Sequence, residues 1–191
     1  MITIVLFGAP GCGKGTQAQR LKEHYGLNHV STGEVIRSEI RRGTPLGRSM
    51  ETYIAAGQLA PDEIVIEMIA NYIAEHRGEK GCIFDGFPRT SCQAEAFDKL
   101  LAAHGEKVDI MIDLQVREEE LVERILLRGK ESGRADDASE EVIRDRLRVY
   151  HERTAILAEY YADQHKYVAV NGSGSMDEVF DRIAQLVDPL T

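Results

Sequence analysis

The stretch FGAPGCGKGTQ, Phe7 to Gln17, comes directly after the apolar run ITIVLF at residues 2–7 and before the helical run TQAQRLKEHYG. Gly8, Gly13 and Lys14 fit the pattern G-x-x-x-x-G-K, and Thr16 supplies a hydroxyl after the intervening Gly15. Strand, glycine-rich turn and helix in that order are what a phosphate-binding loop requires. The glycines let backbone N–H groups point inward at a polyphosphate, the helix N-terminus adds positive potential, and Lys14 reaches the outer phosphates. Cys12 occupies a variable position of the loop, where a small residue fits.

Such a loop belongs to a parallel sheet, and the rest of the chain agrees. Apolar runs of strand length recur at GCIFD (81–85), VDIMIDL (108–114) and YVAV (167–170), with a weaker one at NHVS (28–31), and amphipathic segments separate them. Continuously apolar strands alternating with helices predict strands covered on both faces, each returning through a crossover. The expected architecture is α/β, a three-layer sandwich around a five-stranded parallel sheet. At 191 residues and 43% hydrophobic, the chain can bury one sizeable core. Two regions break the alternation: residues 31–60, read as helices joined by RRGTPLG, and the polar, turn-rich RGKESGRADDAS at 128–139.

A net charge of −9 argues against a general nucleic-acid binder, so any anionic ligand must meet a local cluster of cations. Three cysteines, Cys12, Cys82 and Cys92, form no Cys-x-x-Cys pair and suggest neither a disulfide framework nor a zinc site. With no signal-like segment and no run of membrane-spanning length, a cytoplasmic protein without membrane attachment is expected.

There is no Asn-Lys-x-Asp motif, so a GTPase switch is excluded. GAPGCGKGTQ, STGEVIR, GQLAPDEIV, FDGFPRT followed by Gln93, and RGKESGRADD occur in an order that resembles the adenylate kinase family of nucleoside monophosphate kinases over nearly the whole chain. The resemblance implies a P-loop nucleoside triphosphate hydrolase fold: a core of residues 1–30, 61–127 and 138–191 with two mobile insertions, a monophosphate-binding segment at 31–60 and a lid at 128–137. Hinges are expected near 30, 60, 128 and 138.

Ser31 and Glu34 carry a capping-box signal, which places Thr32 and Gly33 in the first helical turn and Arg37 one turn on. The resemblance makes Arg37 a clamp on the acceptor phosphate and Thr32 an adenine contact, although the family usually has Asp where Glu34 stands. Asp85 ends an apolar strand, where a carboxylate can orient the water shell of Mg²⁺. Gly86 allows close backbone approach, Pro88 stiffens the turn, and the planar fork of Arg89 can grip a phosphate. By resemblance, Gln93 reads the adenine edge of AMP, and Gln58, Leu59, Ala60, Gly86, Phe87 and Pro88 complete that pocket.

For ATP the resemblance implies Gly11, Cys12, Gly13, Lys14, Gly15 and Thr16 of the loop, Arg128, and backbone near Gly174. Arg124 and Arg128 lie four apart on one helical face, with Gly129 as the expected terminator. Arg124 either stacks on the ATP adenine or pairs on the surface with Glu120. Arg134 in the loop and Arg146, on a helix that Ser139 caps, are implied to face the transferring phosphoryl group, and Asp136 and Asp137 to order the closed lid. The lid is short and has no Cys, so no structural zinc is expected.

The implied reaction is MgATP plus AMP giving two ADP, catalysed by Lys14, Arg89, Arg128, Arg134 and Arg146, with ATP, AMP and ADP as ligands and a monomeric state. A UMP/CMP kinase shares the short lid but typically has Ala or Val in place of Thr32 and Asn in place of Gln93. A non-catalytic adenine-nucleotide module would not need the full arginine set.

Overall fold

The computed structural model describes residues 1–76, 79–137 and 139–191. The core stretch 61–127 therefore contains two residues outside the described ones, and the hinge and segment boundary expected at 138 also lie outside them.

Among the described residues, five parallel strands form one sheet: β1 (Ile2–Phe7), β2 (Asn28–Ser31), β3 (Gly81–Asp85), β4 (Ile110–Gln115) and β5 (Tyr167–Asn171), in the order β2-β3-β1-β4-β5. β1 lies at the centre because it is apolar apart from the fully buried Thr3 and both of its faces are covered. Ile4 and Leu6 join a core with Ala18 and Leu21 of α1 (Lys14–Tyr25) and Ile183 and Val187 of α9 (Met176–Val187). Val5 and Phe7 point the other way, to Ile69 of α4 (Asp62–Glu75), Phe97 and Leu101 of α5 (Ser91–Ala102) and Tyr161 of α8 (Leu157–Ala162). Alternate residues of one strand thus hold both helical layers.

The register brings the strand ends together. Leu6 and Ser31 both lie beside Asp85, and Phe7 lies beside Asp113, so the turns after β1, β2 and β3 leave from one edge of the sheet. The chain order reverses around β1, which makes this edge the crevice where open α/β sheets bind ligands. α1 starts at Lys14, two residues before the helical run read from sequence, because Gly13 in the left-handed region turns the chain straight into the helix. Gly8 is equally constrained: at φ +129° a Cβ would stand 2.7 Å from the Leu114 carbonyl oxygen.

Residues 31–60 contain α2 (Thr32–Arg41) and α3 (Pro45–Ala55). The Thr44 hydroxyl accepts from Gly47 N at 3.0 Å to cap α3, and Pro45 takes the first helical position, where its missing N–H costs nothing. The second interruption is built from α6 (Glu118–Ser132), a 3₁₀ turn at Ala135–Asp137 and α7 (Glu140–Val149). Ser139 caps α7, accepting from Val142 N at 3.3 Å. Gly129 does not terminate α6. The helix runs on to Ser132 and Gly133 closes it, while Gly129 sits where a Cβ would meet the Asp137 carbonyl oxygen at 2.5 Å. Its small size serves close packing of the helix on the 3₁₀ turn.

Gly47 offers a test in which two effects oppose each other. An alanine there gains about 1 kcal/mol of helix propensity, but its Cβ would lie 2.2 Å from the Glu39 carbonyl oxygen, forcing α2 and α3 apart. Overpacking against rigid backbone costs roughly 1–3 kcal/mol or more. Gly47→Ala should therefore lower the melting temperature, by up to about 8 °C; a rise would show that the helix pair yields at no cost.

Candidate active site

The loop between β1 and α1 wraps its own lysine. Lys14 Nζ donates to the carbonyl oxygens of Gly8 at 2.6 Å and Ala9 at 3.0 Å, and lies 3.4 Å from the sulfur of buried Cys12. Asp85, 9% exposed at the end of β3, faces this loop, and a Cβ on Gly15 would come within 3.5 Å of Asp85 Oδ2. Burial pushes the Asp85 carboxyl up. The neighbouring His29, with Nε2 at 3.6 Å, and the charges of Lys14 and Arg89 outweigh that and hold it below the usual carboxylate range. An ionised carboxylate facing a loop that carries the exposed Thr16 hydroxyl has the donor chemistry that Mg²⁺ with a triphosphate needs.

Across the cleft, two side chains converge on the Gly86 carbonyl oxygen: Thr32 Oγ1 donates at 2.9 Å and Arg89 Nε at 2.7 Å. Gly86 has φ +79°, a left-handed conformation that favours glycine, and a Cβ there would stand 2.7 Å from the Arg89 guanidinium and push it aside. Burial lowers the affinity of Arg89 for its proton, and the like charges of Arg146 and Arg37 add to this against the pull of Asp85 and Asp136. Phe87 is buried edge-on against Phe97, with ring centroids 5.1 Å apart. The capping box is half formed. Ser31 accepts from Glu34 N at 3.4 Å, but the Glu34 carboxylate turns to Arg37, at 2.7 Å, and to Arg134, two guanidiniums outcompeting one backbone N–H.

The third wall is an arginine–aspartate lattice. Arg128 grips Asp137 with two hydrogen bonds of 2.7 and 2.9 Å, while Arg146 bonds the same carboxylate and donates to the Asp136 carbonyl at 3.0 Å. The Asp137 side chain is fully buried. Burial pushes its carboxyl up, yet Arg128 and Arg146 together hold it below the usual range. Arg134, just past α6, reaches to Glu34 of α2, and Arg37 lies 3.9 Å from Asp136, so residues 31–60 and 128–137 meet through charges. Burial and the like charges of Arg37 and Arg128 pull Arg134 down. Arg124 pairs with Glu120, as one of its two readings had it, and also donates to the carbonyls of Cys12 at 3.4 Å and Gly172 at 3.3 Å. It therefore ties the phosphate loop to the turn after β5.

The residues that the resemblance implies for catalysis and for nucleotide and magnesium binding, from Gly11 to Thr16 through Gln58, Leu59, Ala60 and Pro88 to Gly174, line one cleft of ≈ 1060 Å³, whereas Asp137 lies behind its arginines and is not part of that lining. The adenylate kinase family model matches residues 6–166. The chain belongs to the adenylate kinase family. It is 52% identical over 190 residues to adenylate kinases of Bacteroides thetaiotaomicron and Phocaeicola vulgatus and 46% identical to that of Flavobacterium psychrophilum, with full coverage of both chains in each case. It is thus a phosphotransferase of the nucleoside monophosphate kinase type on a P-loop fold. No helix among the described residues is long and apolar enough to cross a membrane.

Sequence reasoning passed over two groups: His29 sits beside Asp85, and Asp62 bonds Gln93 at 2.7 Å. Asp62 lies inside the GQLAPDEIV signature at a helix start, which was its available signal; His29 becomes visible only through strand register. Glu120, read as a surface partner of Arg124, also accepts from the Ser173 hydroxyl at 2.8 Å.

Asp137→Asn should remove the charge that satisfies two guanidiniums and destabilise the fold by roughly 2–3 kcal/mol, a fall in melting temperature of about 4–12 °C. A carboxyl held below its ordinary value contributes stability that is present at neutral pH and lost as pH falls through the lowered value. The gap between wild type and variant should therefore stay constant from about pH 8 to 5 and close only below about pH 4. Thermal unfolding across that range measures it.

Proposed function

We propose that the protein reversibly transfers the terminal phosphoryl group of MgATP to AMP, giving two ADP and so balancing the adenine nucleotides, as a cytoplasmic monomer. The observation that carries this reading is the convergence of Lys14, Arg37, Arg89, Arg128, Arg134 and Arg146 on one cleft in a chain whose net charge is −9. One polyanion does not need six cations; two held in line do.

ATP phosphates would lie on the N–H groups of Gly11–Thr16, with Lys14 and Arg128 on the outer oxygens. Leaving its carbonyl partners, Lys14 exchanges neutral acceptors for charged ones. Asp85 and Thr16 would hold Mg²⁺, which supplies charge neutralisation between the outer phosphates. Thr32 and Gln93 would hold the AMP base, with Gln58, Leu59, Ala60, Phe87 and Pro88 around it, and Arg37 and Arg89 its phosphate. That phosphate, with a second pKa near ~6, is largely a dianion at neutral pH and needs no general base. Arg134 and Arg146 would spread positive charge over the loose transition state.

Transfer to water is avoided if the site assembles only around both nucleotides. Residues 31–60 and 128–137 suit this role, because they are joined by a partly exposed pair, Arg134–Glu34, which is worth little net energy, and by Arg37–Asp136 at 3.9 Å, too long for a hydrogen bond. Arg37, which would clamp AMP, already pairs with Glu34, and Arg128 and Arg146 are aimed by Asp137.

A coupled assay with MgATP and each of AMP, UMP, CMP and GMP tests the function, with AMP expected as the preferred acceptor; faster turnover of UMP or CMP would overturn it. Lys14→Met should keep the fold while cutting kcat by on the order of 10²-fold or more, because the charge is needed most in the transition state. Near wild-type kcat in a folded variant would remove Lys14 from the mechanism. In nucleotide titrations Gln93→Ala should weaken AMP far more than ATP; an equal loss for both would detach Gln93 from the acceptor base.

A further inference from the structure

Gln93 is 2% exposed and held at both ends of its amide. Its oxygen accepts from the backbone N–H of Arg89 at 2.8 Å, and its nitrogen donates to Asp62 Oδ1 at 2.7 Å. Asp62, in the first turn of α4, uses its other oxygen to accept from the Thr90 hydroxyl at 3.0 Å, and Thr90 caps the helix that carries Gln93. The carboxylate is therefore fixed against the same turn as the amide it holds.

A primary amide offers two N–H donors and an oxygen with two lone pairs. One of each is taken here, leaving one donor and one acceptor for the cleft that Gln93 lines. A backbone N–H can only donate and a carboxylate can only accept, so the two neighbours admit one of the two amide orientations. Flipping it would set N–H against N–H and oxygen against carboxylate. The order of donor and acceptor shown to a bound base is thereby fixed.

That order carries chemical information. Adenine presents an amino donor at C6 beside the N1 acceptor, whereas hypoxanthine, like guanine, presents an O6 acceptor beside an N1–H donor. An amide locked one way complements the first edge and opposes the second; a flipped amide does the reverse. We infer that Asp62 is a positioning residue for acceptor-base selectivity: by pinning the Gln93 amide in one orientation it makes the site accept 6-amino purine monophosphates and reject 6-oxo ones. The inference rests on the proposed assignment of Gln93 to the AMP base. The bond to a carboxylate also polarises the amide, which strengthens its oxygen as acceptor for the 6-amino group.

Asp62→Asn keeps the shape but can face either amide orientation, leaving Arg89 N–H as the remaining lock. The ratio of kcat/KM for AMP to that for inosine monophosphate should fall by about tenfold, the scale of one charge-assisted hydrogen bond. The change should appear as a higher KM for AMP and a lower KM for inosine monophosphate, with KM for ATP unmoved. Asp62→Ser, which also removes the carboxylate, should shift the ratio the same way and serves if the first variant does not fold. An unchanged ratio, or equal loss of both acceptors as a merely structural role would give, overturns the inference. If the wild type itself fails to prefer AMP over inosine monophosphate, the Gln93 assignment falls first and takes the inference with it.

Discussion

The active cleft depends on a buried carboxylate shared by two arginines. Positive charges gathered to receive phosphate repel one another, and without counter-charges they would splay into solvent. Asp137, fully buried between Arg128 and Arg146, answers this by offering both guanidiniums a planar acceptor. Asp136 and Glu34 do the same more loosely for Arg37, Arg134 and Arg146. Each arginine is thus pre-aimed while keeping part of its donor fork for a ligand, and orientation is settled before any substrate arrives.

That lattice hangs on a sheet edge. The phosphate loop, the Ser31 turn and the Asp85–Pro88 turn leave neighbouring parallel strands at matched positions, so Lys14, Thr32, Asp85 and Arg89 are placed by backbone register. The two faces of β1 anchor separate helical layers, and the cleft opens where the chain order reverses between them. Turns at the strand ends carry Lys14, Asp85 and Arg89; the helices joined to one another through ion pairs carry Arg37, Arg128 and Arg146.

Much of this was legible in the sequence because it rests on local rules. Apolar runs bounded by turns located the strands, the N-caps Ser31 and Ser139 located two helix starts, and the glycine spacing before Lys14 located the loop. What escaped depends on contacts between distant segments. Gly129 looked like a helix stop because glycine usually weakens a helix, but here its missing side chain admits Asp137. Glu34 signalled a reciprocal cap, yet Arg134, one hundred residues away, claims its carboxylate. Asp62, passed over in the sequence, gains its part only from Gln93, which lies against it across the fold.

The cationic interior also shapes how ligands arrive. Most of the surface repels nucleotides, while the cleft, walled by protein of low polarisability, focuses the field of Lys14 and its arginines outward through one mouth. A nucleotide drifting near the molecule is turned away everywhere except at the opening, so encounters are sorted by direction before any hydrogen bond forms.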